Sequence, residues 1–340
     1  MRKRVRMAGS WIDNIHRFTG RKNTPKPATV DFYGQNKQSG NFIPAFNIKY
    51  LNFVPPKNQN TKTRKYQNTL PTMSTQHDTT NWFEANRQAW NLRTEWHKHS
   101  EFYDVEAWKQ GKEALTPIEL REVGDVTGKS LLHLQCHFGQ DTLSWARRGA
   151  TVTGCDLSDK AIDYARQLSV ELNLPAQFVC CNVYDLPAHL EGQFDIVFTS
   201  YGTIGWLPDL KPWAKVVQHF LKRGGFFYIA DFHPVVWMMD DDFTFLKYPY
   251  HNAGVIPTEN TGSYAAKDVE QRYTDYGWNH SLSEIINALL EEGLRLDFLN
   301  EYPYSPYNCF QKTVQGTDGF YRIQGLENVI PLVYSLKAWK

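Results

Sequence analysis

No run in this 340-residue chain approaches the ~18 consecutive apolar residues that a membrane-spanning helix needs. No hydrophobic stretch of a secretory signal follows the basic start either. A membrane partner is therefore not expected, and the expected compartment is the cytoplasm. Cysteine is scarce: Cys136, Cys155, Cys180, Cys181 and Cys309 are the only five, and no two stand in a C-x-x-C pair. Four of them lie in or just after apolar strand-like runs, where cysteine behaves as a small buried apolar residue. That spacing argues against zinc and against a disulfide scaffold, so no metal is expected, and it suits a reducing compartment. There is no internal repeat.

Acid is nearly missing from one end. Residues 1–72 hold 14 Lys and Arg against 2 Asp, so the whole-chain net charge of +1 conceals a distinctly acidic remainder. An acidic body is a poor surface for nucleic acid, because phosphate binding needs clustered cations. The basic segment itself has little periodicity and much Asn, Lys, Thr and Pro. Its one apolar cluster, Phe42 to Phe53, is broken by Pro44 and Asn47. Three readings stand: a disordered tail that buries too little to offset ordering entropy, a nucleic-acid arm, or a mistranslated leader upstream of an initiator at Met73. A folded domain is not expected there. With 41% hydrophobic residues, the chain as a whole can bury one sizeable core and a small second subdomain.

What is present centres on Lys129 to Asp156, KSLLHLQCHFGQDTLSWARRGATVTGCD. Ser130 to Leu134 reads as a buried strand ending in the turn Gln135–Gly139. Asp141 to Arg148 has helical spacing and is stopped by Gly149. Thr151 to Cys155 is a second, β-branched strand ending on Asp156. Strand, tight turn, helix, strand and terminal acid make half of a nucleotide-binding α/β unit. In such a unit turn N–H groups meet the ligand and the acid accepts from ribose hydroxyls.

The segment resembles motif I and the following acidic position of class I S-adenosylmethionine-dependent methyltransferases, in a bacterial, largely uncharacterised branch. The likeness extends from about Asn81 to the C-terminus. The usual motif is an acid at the end of the strand and three alternating glycines. Here His133 replaces the acid, Gln135 and His137 replace two glycines, and Gly139 remains. The resemblance implies a doubly wound, Rossmann-like α/β fold with a seven-stranded, mostly parallel sheet and an antiparallel last strand. It also implies S-adenosyl-L-methionine as cofactor, with a helical N-terminal cap (79–125), a core (126–232), a lid after strand five (233–280) and a closing helix and strands (281–340).

The rest of the chain reads consistently. Trp82, Phe83, Asn86, Ala89, Trp90, Arg93 and Trp96 recur at threes and fours, giving a helix with an aromatic stripe. It caps the cofactor, packs on the domain, or does both. Thr116-Pro117-Ile118-Glu119 opens another helix, which ends near Gly124. Ser158 caps a helix running to Leu172. Gln177 to Cys181 and Phe194 to Ser200 are strands three and four. A helix from about Pro212 to Lys222 leads to strand five, Phe226 to Asp231. His233 to Asn279 is irregular and aromatic, as binding loops often are. Ser281 to Glu292 is amphipathic, and Leu294 to Glu301 and Ile330 to Trp339 close the sheet.

Ligands of such sheets bind outside the carboxyl ends of the strands. The expected cofactor contacts are Gln135, His137, Phe138 and Gly139 in the turn, and Asp156 and Leu157 after strand two. Asn182 and Val183 after strand three and Thr199 at the end of strand four complete them. Asp156 is the strongest, since a lone carboxylate at a strand end has little structural use. Gly139 is expected to admit a close backbone approach. On the acceptor side the candidates are Tyr201, Asp231, His233 and His280, with Asp231 and His233 two apart and facing one way as a possible acid–imidazole base. The expected acceptor is a small molecule. Two alternatives stand: a nicotinamide-dependent oxidoreductase, distinguishable by NADH binding, and a non-catalytic S-adenosylmethionine-binding protein, excluded by turnover. Neither acceptor atom nor oligomeric state is legible.

Overall fold

Three helices precede the first strand: α1 (Thr79–His97), α2 (Val105–Lys109) and α3 (Pro117–Val123). The computed structural model describes residues 79–340. The basic segment 1–72 and Met73, with the readings attached to them, lie outside the described residues. α3 starts where expected, and the Thr116 N–H donates to Glu119 Oε2 at 2.6 Å, one half of a capping box. α2 was not expected. Its Trp108 is buried, donates through Nε1 to Ser144 Oγ at 2.8 Å, and lies under the Arg147 guanidinium at 4.4 Å.

Strand and helix then alternate through β1 (Ser130–Leu134), α4 (Gln140–Arg147), β2 (Thr151–Asp156), α5 (Asp159–Glu171), β3 (Ala176–Cys180), β4 (Phe194–Ser200), α6 (Leu210–Phe220) and β5 (Leu221–Phe232). α6 begins earlier than expected because Asp209 caps it, accepting the Lys211 N–H at 2.9 Å. That cap puts Pro212 in the first turn, where a missing N–H costs no helical bond. Next come β6 (Ile256–Thr261), β7 (Arg272–Gly277), α7 (Leu282–Glu291), β8 (Arg295–Tyr302), β9 (Thr313–Gln315), β10 (Tyr321–Ile323) and β11 (Val333–Trp339).

Seven strands form one sheet in the order β3-β2-β1-β4-β5-β11-β8. The pairs from β3 to β5 are parallel, and β11 runs antiparallel to both β5 and β8. This is the mostly parallel sheet with a reversed last strand that the resemblance implied. Successive β1 residues serve opposite faces: Leu132 and Leu134 join Val197, Trp213, Phe220 and Leu336, while Leu131 joins Trp145, Val152, Ile196 and Phe198. Burial on both faces explains why β1 reads as a continuous apolar run. Strand order reverses at β1, whose neighbours are β2 and β4, and ligands of such sheets bind beyond the carboxyl ends of the strands at that point.

The segment 233–280, read as irregular, contains the antiparallel hairpin β6–β7 in unbroken register from Ile256↔Gly277 to Thr261↔Arg272. It joins α1 through a reciprocal pair in which Asn86 Nδ2 donates to the Tyr276 carbonyl and the Tyr276 N–H donates to Asn86 Oδ1, both 2.8 Å. The small hairpin β9–β10 between β8 and β11 was also unforeseen. No described helix is long and apolar enough to cross a membrane.

Candidate functional site

The turn after β1 takes a left-handed conformation at every second residue: Gln135 at φ 56°, His137 at φ 51° and Gly139 at φ 75°. Two of the three carry side chains, and such a residue costs of order 1–3 kcal/mol unless its surroundings hold it. Here they do. Gln135 Nε2 donates to the Thr203 carbonyl at 2.8 Å, and the His137 N–H donates to Asp156 Oδ2 at 2.8 Å. The other Asp156 oxygen accepts the Ser158 N–H, also at 2.8 Å. Burial pushes the Asp156 carboxyl up against the pull of these backbone bonds. Asp156 thus fixes the turn while each of its oxygens keeps a second lone pair.

Gly139 excludes a side chain for a reason within the fold. A Cβ there would lie 2.8 Å from both Cε1 and Cζ of Phe178, and one on Gly154 would meet Cε1 of the same ring at 2.9 Å. The space that Gly139 leaves is filled by Phe178 of β3, a packing reason that stands beside the ligand approach read from the sequence.

Above the turn stands an aromatic enclosure built by α1. The His137 ring lies 5.2 Å from Trp90, 5.3 Å from His97 and 5.4 Å from Tyr103. Trp206, after β4, meets Trp90 at 5.5 Å, and His97 Nε2 is 2.9 Å from Ser263 Oγ. Burial, then the charge of Arg93, holds His137 down to about 3, and burial, then His137 and Arg93, holds His97 down to about 2. Both imidazoles are therefore neutral near pH 7. Arg93 supplies the charge: it is stacked within 4.9–5.1 Å of Trp90, Trp206 and Tyr273 and paired to Asp275 Oδ2 at 2.5 Å. Among the described residues, two buried polar atoms here have no partner, Gln135 Oε1 and His97 Nδ1. The stripe on α1 thus packs on the hairpin and covers the turn at once.

The remaining expected contacts divide. Asn182 caps the turn after β3, its Oδ1 accepting the Tyr184 N–H at 3.1 Å, which leaves Nδ2 uncommitted among the described residues. Leu157 is half-buried beside Asp156. Phe138 and Val183 are buried core side chains, and the Thr199 hydroxyl donates to the Leu134 carbonyl at 3.0 Å. Among these three, only backbone atoms are left to meet a ligand.

The acid–imidazole pair expected from Asp231 and His233 is not formed. The Asp231 carboxylate accepts the Gly202 N–H, the Thr203 N–H and hydroxyl at 3.2 Å each, and the Phe232 N–H at 2.7 Å, so it clamps the loop after β4. His233 Nε2 donates instead to Glu301 Oε1 at 2.8 Å, and its Nδ1 accepts the Val235 N–H at 3.2 Å. His280 is likewise engaged on both nitrogens, donating from Nε2 to the Leu207 carbonyl at 2.7 Å with Nδ1 3.0 Å from Glu284 Oε1. Tyr201 is held at φ 22°, with its hydroxyl 3.2 Å from Thr116 Oγ1 and its ring 5.0 Å from Tyr307. Sequence reading missed Arg93, Tyr103, Glu119, Asp141 and Tyr307. Only Asp141 carried a signal, an acid opening the helix after the turn.

Residues 132–229, from β1 to β5, match the family described as a methyltransferase domain. That match falls on the parallel part of the sheet, β1 to β5, and includes the turn after β1. Over 138 residues the chain is 30% identical to the ubiquinone biosynthesis O-methyltransferase of Chromobacterium violaceum, covering 40% of this chain and 56% of that protein. Over 131 residues it is 36% identical to an uncharacterized methyltransferase of Synechocystis, covering 38% and 59%. The chain thus spans little more than half the length of the curated relatives it matches. A solved S-adenosylmethionine-dependent methyltransferase from Mesorhizobium loti superposes with a TM-score of 0.45 at 18% identity, covering 68% of this chain and all of that one.

Proposed function

We propose that this chain binds S-adenosylmethionine beyond the carboxyl ends of β1, β2 and β4 and methylates a small molecule. The observation that carries the reading is Asp156, a carboxylate at the end of β2 fixed against a turn with three alternating left-handed residues. The donor set fits the cofactor. Asp156 keeps lone pairs for ribose hydroxyls, Gln135 Oε1 is a buried acceptor without a partner among the described residues, and aromatic faces attract a sulfonium. Bound S-adenosylmethionine supplies an electrophilic methyl group on sulfur.

The chain's own work is positioning, exclusion of water and proton removal. Trp90, Trp206 and Tyr103 line a water-poor cover, and the neutral His97 and His137 add no positive charge to repel a sulfonium. A small acceptor suits this enclosure better than a nucleic-acid backbone, since Arg93, its one buried cation among the described residues, is already committed to Asp275. The oxidoreductase alternative is disfavoured because β5 is followed in the sheet by the reversed β11 and by β8, with no second nucleotide-binding half.

Calorimetric titration with S-adenosylhomocysteine and with NADH separates these readings. Binding of the first alone is expected; preference for NADH overturns the assignment. Methyl turnover with any acceptor then removes the non-catalytic alternative.

A further inference from the structure

A second polar centre adjoins the turn. Glu119 is fully buried: its Oε2 accepts the Thr116 N–H at 2.6 Å and its Oε1 has no partner among the described residues. Asp141, in the first turn of α4 and two residues past Gly139, accepts the Ser200 hydroxyl at 3.3 Å through Oδ2. Tyr201 reaches the same place through Thr116, and Tyr307 packs on Tyr201. No Lys or Arg pairs with Glu119 or Asp141 among the described residues. The nearby cations are taken, Arg93 by Asp275 at 2.5 Å and Arg148 by Glu113 at 2.6 Å. Fully buried Glu119 and half-buried Asp141 are thus linked through Thr116, Tyr201 and Ser200, with no cation paired to either among the described residues.

Left alone, this arrangement is unfavourable, because burying a charge without a partner costs several kcal/mol in proteins. Burial, with Glu113 adding its charge, pushes Asp141 up to about 7. Burial, then Asp141, then Glu113 to a smaller degree, raises Glu119 well above its ordinary range. The nearby phenols of Tyr201 and Tyr307 are raised as well, chiefly by burial and by Glu119. A purely structural cap at Glu119 would be served by glutamine, which fits a capping box without charge. A bound cation resolves the imbalance: its N–H groups donate to carboxylates and the ring faces attract it. A phenolate or carboxylate would be repelled.

We propose that Glu119 and Asp141, with Tyr201 and Tyr307, form the subsite for a protonated primary or secondary amine on the acceptor. This rests on the methyltransferase reading and names the acceptor class for that same site. The ammonium binds through charge-assisted hydrogen bonds. Asp141 then takes one N–H proton, becoming the neutral acid and leaving a neutral amine whose lone pair is free to react.

Phenethylamine, 2-phenylethanol and 3-phenylpropionate carry one ring on one short arm with cationic, neutral and anionic head groups. Each is titrated calorimetrically into the full chain saturated with S-adenosylhomocysteine, at pH 7 in two buffers of different ionisation enthalpy. The amine alone is expected to bind and to release protons, since a cation draws the raised carboxyls down. Glu119→Gln and Asp141→Asn should each weaken amine binding roughly 10–150-fold, the range for a lost charge-assisted hydrogen bond, and should reduce the proton release. Equal or tighter binding of the alcohol or the carboxylate overturns the proposal, as does no binding of any probe, or unchanged amine affinity in both variants. If the variants do not fold, the charge series on the unsubstituted chain decides alone. Failure of S-adenosylhomocysteine to bind that chain would instead sink the underlying methyltransferase reading.

Discussion

Asp156 and His137 are joined carboxylate to backbone, the His137 N–H donating to Asp156 Oδ2 at 2.8 Å across the gap between β2 and the turn after β1. The residue assigned to the ribose therefore also holds the turn that would receive the rest of the cofactor. Asp156→Ala should then do two things. Loss of charge-assisted bonds to the cofactor, ~1.5–3 kcal/mol, weakens S-adenosylhomocysteine binding by roughly 10–150-fold. Loss of the acceptor for two backbone N–H groups lowers stability by about 1–3 kcal/mol. Calorimetry and urea unfolding read the two separately. Unchanged affinity would remove Asp156 from the cofactor site.

The Gly139–Phe178 contact predicts a packing defect that a second change relieves. Gly139→Ala sets a Cβ 2.8 Å from the Phe178 ring at φ 75°. Overpacking and backbone strain together should cost about 2–4 kcal/mol. Phe178→Leu in the same chain should return at least ~1 kcal/mol of that, a coupling seen only between touching residues. Strict additivity in a double-mutant cycle would show that the ring does not occupy the notch.

Backbone strain at Gln135 has its own test. Gln135→Gly removes the left-handed penalty together with one side-chain bond to Thr203 and one unpartnered oxygen, so stability should stay within ~1 kcal/mol of the parent. Gln135→Val puts a β-branched residue at φ 56° and should cost about 1–3 kcal/mol. Thermal melts showing the valine form equal to the glycine form would contradict the turn geometry.

The sheet was legible because its strands are buried on both faces or end in turn residues, and Asp156 because a strand-end acid stands out. The alternating turn was only half legible, since conformation is not written in residue type: Gln135 and His137 take φ values usually left to glycine. Asp231 and His233 do sit two apart, as read, yet backbone donors of the β4 loop claim the acid and Glu301 claims the imidazole. Glu119 was hidden by its own second role, since a capping box fully explains a glutamate three residues past Thr116. The β6–β7 hairpin escaped because its strands, Ile256–Thr261 and Arg272–Gly277, are mostly polar and exposed, with too little apolar alternation to announce them.

Arg93 and Asp275 tie α1 to that hairpin with both side chains nearly buried, at 9% and 6% exposure. Removing one partner of such a pair strands the other charge and costs about 3–5 kcal/mol. Asp275→Asn should therefore be severely destabilising. The double substitution Arg93→Met with Asp275→Leu, which strands no charge, should be clearly milder than Asp275→Asn. Denaturant midpoints of the parent, both single variants and the double form settle it; a double variant worse than either single one would mean the pair stabilises on balance.

His137 links the turn to pH. Its folded-state value is held down to about 3 by burial and then by Arg93, while an unfolded imidazole titrates near 6.5. Between those values the unfolded chain binds a proton that the folded chain refuses, so stability falls as pH drops below ~6.5, by up to ~1.4 kcal/mol per pH unit for this ring. His97 acts in the same direction, and the raised Asp141 and Glu119 act in the opposite one, so the parent's own pH profile mixes several groups. His137→Asn isolates one of them, because asparagine accepts the left-handed backbone and does not titrate. Relative to the parent, that variant should gain about 1.4 kcal/mol for each unit of acidification between pH 6 and pH 4. Urea unfolding of both proteins at pH 4, 5, 6 and 7 measures the difference directly. Parallel curves would mean that the His137 ring protonates as readily folded as unfolded, and that the aromatic cover over the turn stands open to water.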